Sequence, residues 1–392
     1  MNARTRTTPG VAATVAAVLL LAASAAVAQE TGRSRPSPEG ALEDLGLLHR
    51  GEDGDVCNEF WVLGRYHGQQ YWSEGGAEDA EAFESRRFRL GAQARFFDDL
   101  VVHAQAISGS DFDPDYNGFT ELWVGWRFCP EVMLTVGQQK HRFTHDRNVS
   151  SRYLNYLERS QLTNMFAADY TPAVTLQGQI GRWNYYGGLF SNATGRDMVG
   201  AFTELDSGES WLGFATYDFG RAFGTDGAFW NVSAVRSDAN ANATNLNWFD
   251  EGLATALILT DGPGSLVTEV TSGFGNPRGD VLGLNLQPGW FVTDQLQLVA
   301  RLQLAGSDGD DGLRAQRRYE REVGLTTGDF YQATYLGLNQ HFAGHRIKVL
   351  TGVEYATLGG DECWTFSVAF RMFFGPHSRG PFPMGDLLPA SP

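Results

Sequence analysis

From Arg86 the chain reads RRFRLGAQARFF, so that Phe88, Leu90, Ala92, Ala94 and Phe96 alternate with Arg87, Arg89, Gly91, Gln93 and Arg95. A period of two residues puts these sets on opposite faces of a β-strand. A strand with apolar groups on one face and arginines on the other suits a wall between lipid and a water-filled lumen. The competing architecture, a soluble sandwich or lipocalin-like barrel, has the opposite polarity, apolar inside and polar outside.

The N-terminus sets the compartment. Arg4 and Arg6 precede an apolar stretch from Val11 to Leu21, and Ala26-Val27-Ala28 supplies the small-residue pattern of a signal-peptidase site. We therefore expect residues 1–28 to be a cleaved signal peptide and the protein to be exported; with the two-faced strand pattern, the expected location is the outer membrane of a Gram-negative-type bacterium. The apolar stretch is short and Ala-rich, and no later run reaches the roughly 18 apolar residues a spanning helix needs. Apolar content of 42%, with 26 Phe, 13 Tyr and 10 Trp, fits a barrel with aromatic girdles better than a helical bundle. A formal charge of −16 argues against nucleic acid as a partner. Cys57, Cys129 and Cys363 lack metal-ligand spacing and allow at most one intrachain disulfide, so structurally minor roles are expected. No motif calls for a cofactor, and no catalytic or metal site is expected.

Alternation and turn residues divide the chain into about 16 strands. They begin near Asn58, Arg86, Leu100, Phe119, Val132, Pro172, Arg182, Trp211, Ala228, Leu253, Leu266, Asp280, Gln295, Gly328, His345 and Trp364. Turns after the second, fourth and sixth are tight (Asp98-Asp99, Cys129-Pro130-Glu131, Gly181), whereas those after the first, third, fifth and seventh read as long. That parity belongs to barrels with short periplasmic turns and long external loops. The expected fold is all-β: a transmembrane antiparallel barrel over 58–374, preceded by a flexible periplasmic lead-in over 29–57 and followed by a C-terminal tail over 375–392. Later strands repeat the two-faced pattern. Leu296, Leu298, Ala300, Leu302 and Leu304 oppose Gln297, Arg301 and Gln303, and Trp364, Phe366, Val368, Phe370, Met372 and Phe374 oppose Thr365, Ser367 and Arg371.

Acidic residues fall mainly in connections on this reading: Glu74, Glu78, Asp79, Glu81 and Glu84 in the first loop, Asp111, Asp113 and Asp115 in the second, Asp308, Asp310 and Asp311 in the seventh. The inferred lumen face carries Arg87, Arg89, Arg95, His103, Arg127, Arg301, Arg346, Lys348 and Arg371 against a few carboxylates such as Glu121 and Glu354. Rows of Arg and Lys in a pore select anions. The blander alternative is that they pair with loop carboxylates or solvate the lumen. The longest connection, from about Gln139 to Thr171, is net basic through Lys140, His141, Arg142, His145, Arg147, Arg152 and Arg159, and its SSRYLNYLERS stretch has a helical look with Tyr153, Leu154, Tyr156 and Leu157 on one side. It is expected to fold toward the pore, where guanidiniums would meet an oxyanion with forked hydrogen bonds. The alternative is an external loop packed on its neighbours. The Asp111, Asp113, Asp115 and Gly118 spacing only loosely matches a calcium loop, with Leu122 where a bidentate carboxylate should stand.

The stretches RRFRLGAQARFFDDL (Arg86–Leu100), FTELWVGWRF (Phe119–Phe128) and TVGQQKHRFTHDRNVSSRYLNYLERSQLTNMF (Thr135–Phe166) resemble the phosphate-selective porin O and P family. The last is similar to the family's VGQ strand end, polar stretch, serines, aromatic-rich segment and Glu-Arg-Ser triplet, here Glu158, Arg159 and Ser160. The resemblance covers the first half of the chain. It implies a 16-stranded outer-membrane barrel, commonly trimeric, that passes phosphate or related anions by diffusion. The partners so implied are small anions, outer-membrane lipid and two further copies of the chain. The candidate anion pathway comprises Arg87, Arg89, Arg95, Arg127, Lys140, Arg142, Arg152, Arg159, Arg301 and Arg371. Two other classes stay open: a general or sugar-selective porin using aromatic stacking, and an outer-membrane barrel hydrolase, for which His103 has no visible partner.

Overall fold

A computed structural model describes residues 42, 45–52, 54–76, 78–316 and 318–376. The signal peptide, most of the lead-in and the tail beyond 376 lie outside the described residues. In chain order the strands are β1 (Leu47–Arg50), β2 (Cys57–Gly75), β3 (Ala80–Phe96), β4 (Leu100–Ile107), β5 (Phe119–Cys129), β6 (Val132–Lys140), β7 (Tyr170–Ile180), β8 (Trp183–Ser191), β9 (Gly208–Gly220), β10 (Gly227–Ala239), β11 (Glu251–Asp261), β12 (Gly264–Phe274), β13 (Val281–Phe291), β14 (Leu296–Ser307), β15 (Leu313–Arg314), β16 (Thr327–Gly328), β17 (Phe330–His341), β18 (Ile347–Leu358) and β19 (Asp361–Phe374).

β2–β14 and β17–β19 make a closed antiparallel barrel of 16 strands, each paired with its sequence neighbour. β19 closes it on β2, from Cys363↔Gly75 to Phe374↔Gly64. Closure leaves no edge of unpaired backbone groups, which a lipid-embedded sheet requires. Below that seam β1 pairs with the start of β2, Leu47 opposite Trp61, so this part of the lead-in is a strand. β15 and β16 form a separate two-stranded ribbon within the connection 308–329.

The connections alternate as expected. One end has the tight turns 97–99, 130–131, 181–182 and 262–263, and the other has 108–118, 141–169, 192–207, 240–250 and 308–329. The first hairpin is a correction. Its strands continue past the expected boundary, leaving only 76–79 as the connection, and Glu74, Glu81 and Glu84 are strand residues rather than loop residues. The sequence conceals this because the pairing slips between His67↔Arg87 and Gly68↔Ser85. The extra residue, Arg86, makes a β-bulge that interrupts the two-residue alternation.

The inside-outside assignment follows the period of two. Along β14 Gln297, Val299, Arg301 and Gln303 are buried, while Leu298 on the other face is exposed. Outward-facing Trp126, Trp183, Trp211, Trp230, Trp290 and Trp364 are exposed on the barrel exterior, near the strand ends where aromatic girdles belong. All three cysteines are free.

Candidate functional site

The bulge at Arg86 builds one side of the site. With it, Arg86 and Arg87 both turn inward although they are consecutive, because the parity before it (Glu84) and after it (Arg89) differs by one residue. Six guanidiniums (Arg65, Arg86, Arg87, Arg89, Arg95 and Arg127) thus stand on the inner face of β2–β5, against the carboxylates Glu59, Glu84 and Glu121. Arg65 and Arg86 were not among the sequence candidates. Arg65 was legible, since Arg65, His67 and Gln69 alternate with Tyr66, Gly68 and Gln70, whereas the bulge hid Arg86.

The connection 141–169 fills much of the lumen beside this wall, meeting it where Arg65 donates to Ser151 and Arg86 to Glu158. Its expected helix is absent: two short helices, His145–Asn148 and Gln161–Met165, flank an irregular stretch containing Tyr153, Leu154, Tyr156 and Leu157. The physical reason lies in the wall. Arg371 donates to the carbonyls of Leu154 (2.8 Å), Tyr156 (2.6 Å) and Leu157 (3.0 Å), Lys348 to that of Leu154 (2.8 Å), and Arg301 to that of Glu158 (2.7 Å). Buried carbonyls must be satisfied, and here wall cations take those that a helix would bond internally. The side chains therefore fan out instead of lining one face. Leu154 and Tyr153 pack with Phe373, Tyr156 with Val299 and Tyr335, and Leu157 with Tyr71, Leu350 and Ala369. Contacts with β2, β14 and β17–β19 hold the loop within the barrel.

A second connection, 308–329, also turns inward. Arg318 reaches Glu84 (2.7 Å), Tyr319 donates to Glu354 (2.8 Å), and Gln316 donates to the carbonyl of Arg159 (2.9 Å). Leu313, Val323 and Leu325 join Phe143, Leu162, Phe166 and Phe249 in an apolar cluster against inward-facing Ala254, Val281, Ala333 and Ala356. This interior core was not legible in the strands, whose small alanines gave no sign of what would cover them. Beside it lies a cavity of ≈ 1230 Å³ lined by Arg86, Arg89, Arg147, Arg196, Arg314, Arg318 and Arg321, with Glu158, Asp169, Asp197 and Glu204.

The candidate residues divide into two groups. Arg371, Arg301, Lys140 and Arg159 hold the loop: Lys140 donates to the carbonyls of Asn148 and Val149, Arg159 to those of Asp146 and Val149, and Arg301 also pairs with Glu354 at 2.8 Å. Arg142 lies over the Tyr186 ring (4.9 Å) and Arg152 over Phe373 (5.2 Å), with its guanidinium donating to the carbonyl of Pro376. Arg89 donates to Tyr170 (2.9 Å) and Arg95 pairs with Glu59 (3.4 Å). The guanidiniums of Arg87 and Arg127 have no hydrogen-bond or ion-pair partner among the described residues. Arg346 lies in the turn before β18 rather than on the strand and donates to the carbonyl of Gly375.

Loop electrostatics sharpen the picture. Burial pushes His141 down to about 3 and His145 down to about 4, so at neutral pH neither adds charge. Burial opposes ionisation of Glu158 too, but Arg86, Arg318 and Arg87 overcome it and hold its carboxyl well below the usual range. Asp111 of the acidic second loop accepts from the backbone N–H of Ser85 at 2.7 Å, tying that loop to β3.

Residues 65–206 match the family model of phosphate-selective porin O and P. The stretch runs from β2 through the connection after β8, so it includes the arginine wall and the long loop, as the resemblance in the sequence implied. No curated protein sequence matches the chain. Similar solved structures include Pseudomonas putida OprB (TM-score 0.59, 11% identity, covering 80% of this chain and 94% of that one) and OmpT, an outer membrane protein of Vibrio cholerae (TM-score 0.56, 13% identity, 82% and 99%). Salmonella typhi OmpF in complex with daunomycin is another (TM-score 0.54, 10% identity, 80% and 98%). At such identities the likeness is one of fold, and with the family match it supports an outer-membrane porin.

Proposed function

We propose that this chain is a passive outer-membrane porin for small anions, with phosphate or a related oxyanion as the favoured solute. The observation that carries the reading is the asymmetry of this wall: six guanidiniums against three carboxylates on the inner face of β2–β5, two of the six without a side-chain partner among the described residues, beside a cavity lined by further arginines. Fixed cations in a low-dielectric passage raise the local anion concentration and repel cations. The pathway runs past Arg87, Arg89, Arg95 and Arg127, with Arg142 and Arg152 on the loop facing them. Lys140, Arg159, Arg301 and Arg371 shape it by holding the loop.

Two considerations favour this over the alternatives. Six of the tryptophans that might stack on sugars are exposed on the outer face. His103 sits between Glu121 (3.5 Å) and Gln93 (3.1 Å), with no hydroxyl nucleophile bonded to it among the described residues, which supports a channel rather than a hydrolase. Assembly as a homotrimer in outer-membrane lipid, after removal of residues 1–28, completes the proposal. Liposomes containing the protein should admit radiolabelled phosphate faster than a neutral sugar of similar size, and replacing Arg87, Arg89 and Arg127 together with Gln should slow phosphate while leaving the sugar unchanged. Equal slowing of both would leave the arginines as structural groups only.

A further inference from the structure

Glu158 lines the arginine-rich cavity. Its Oε1 accepts from Arg86 Nε at 3.1 Å and lies 3.8 Å from Arg318 Nη1, and the charge of Arg87 adds to theirs in holding it ionised. The three guanidiniums come from independent devices: Arg86 and Arg87 from the bulge in β3, Arg318 from the inward loop, itself steadied by Glu84 at 2.7 Å. Glu158, Arg86 and Arg318 all line the cavity. Arg86 and Arg87 are half-buried and still in reach of solvent. A carboxylate held by convergent, cavity-facing guanidiniums has the donors and charge that a phosphate-like oxyanion would use.

We propose that Glu158 is a resident counter-anion, occupying in the resting channel the cradle that Arg86, Arg87 and Arg318 offer to a passing oxyanion, and so setting how tightly that anion is held. The inference rests on the anion-porin reading and makes Glu158 a specificity-determining residue. The solute must displace the carboxylate to engage the guanidiniums, and the carboxylate returns as the solute leaves. Without it the three arginines, with Glu84 as their one other counterion among the described ion pairs, would hold an oxyanion too long, whereas conduction needs binding strong enough to capture and weak enough to release.

The test is block of single-channel chloride current by inorganic phosphate in 1 M KCl, where the screening length is about 3 Å and the general field of the mouth is damped. E158Q keeps the shape but removes the competing charge. The phosphate concentration for half-block should fall roughly tenfold, equivalent to about 1.4 kcal/mol. D197N makes the same charge change in the same cavity at a residue that no arginine holds among the described ion pairs, and half-block should stay within about twofold of wild type. R318Q should raise the half-block concentration. E158Q and D197N behaving alike, or R318Q leaving the block at the wild-type level, overturns the inference, and R318Q decides the matter if E158Q does not assemble. A channel with no anion preference in any of these proteins would instead overturn the anion-porin reading.

Discussion

Removing Arg371 should release the loop without breaking the barrel. Arg371 is 2% exposed and donates to three consecutive-region carbonyls, those of Leu154, Tyr156 and Leu157. In R371M the Leu154 carbonyl keeps Lys348 at 2.8 Å, but those of Tyr156 and Leu157 lose the Arg371 donor. A buried acceptor left unpaired costs about 1–3 kcal/mol, so the loop loses about 2–6 kcal/mol of anchoring, and water in the lumen brings the effect toward the lower figure. About 2 kcal/mol corresponds to a roughly 30-fold change in a local opening equilibrium. Amide hydrogen exchange in 153–159 should rise by at least that factor, and single-channel conductance should increase and become noisier. Exchange in the barrel strands should remain slow. K348M, which leaves the Leu154 carbonyl with Arg371, should produce a clearly smaller effect. Unchanged exchange in 153–159 together with unchanged conductance in R371M would refute the claim that wall cations suspend the loop.

Further outcomes follow from the same geometry. L302R places a charge on the lipid face in the middle of β14 and should impair assembly by about 2–4 kcal/mol, while Q287R, on the inner face of β13, should assemble normally; heat-modifiable migration on gels reads both, and equal impairment would reverse the face assignment. Glu320, buried near the Glu354 carboxylate, is pushed up to about 8 from 4.5. Its protonated form is thus favoured in the folded loop, and that stabilisation is full below about pH 4.5, declines through the window up to 8, and is lost above it. Exchange in 313–325 should accelerate between pH 5 and pH 9 after correction for intrinsic rates, and E320Q should flatten that dependence.

Much of the wall was legible because a strand with lipid on one side and water on the other must alternate. Leu100, Phe119 and Val132 begin strands where the turn residues said they would. The same alternation failed at Arg86, where an inserted residue broke the parity and pushed the apparent strand start away from Ala80. The loop's placement is a tertiary effect. Tyr153, Leu154, Tyr156 and Leu157 have helical spacing, but Arg371 and Lys348 take the carbonyls of Leu154, Tyr156 and Leu157, and Arg301 that of Glu158, all from more than 140 positions away. The inward turn of 308–329 had one faint signal, the basic run around Arg314, Arg318 and Arg321 in an otherwise acidic second half. Nothing local revealed that it would meet Glu84 and Glu158.

The most direct test of the central claim is the reversal potential of the purified protein in a planar bilayer under a tenfold KCl gradient. An anion-selective lumen gives a potential of the sign set by chloride, and that potential should move toward zero when Arg87, Arg89 and Arg127 are replaced by Gln, with wild-type current falling as phosphate is added. A potential of the sign set by potassium, or one that the three substitutions leave where it was, would contradict the account.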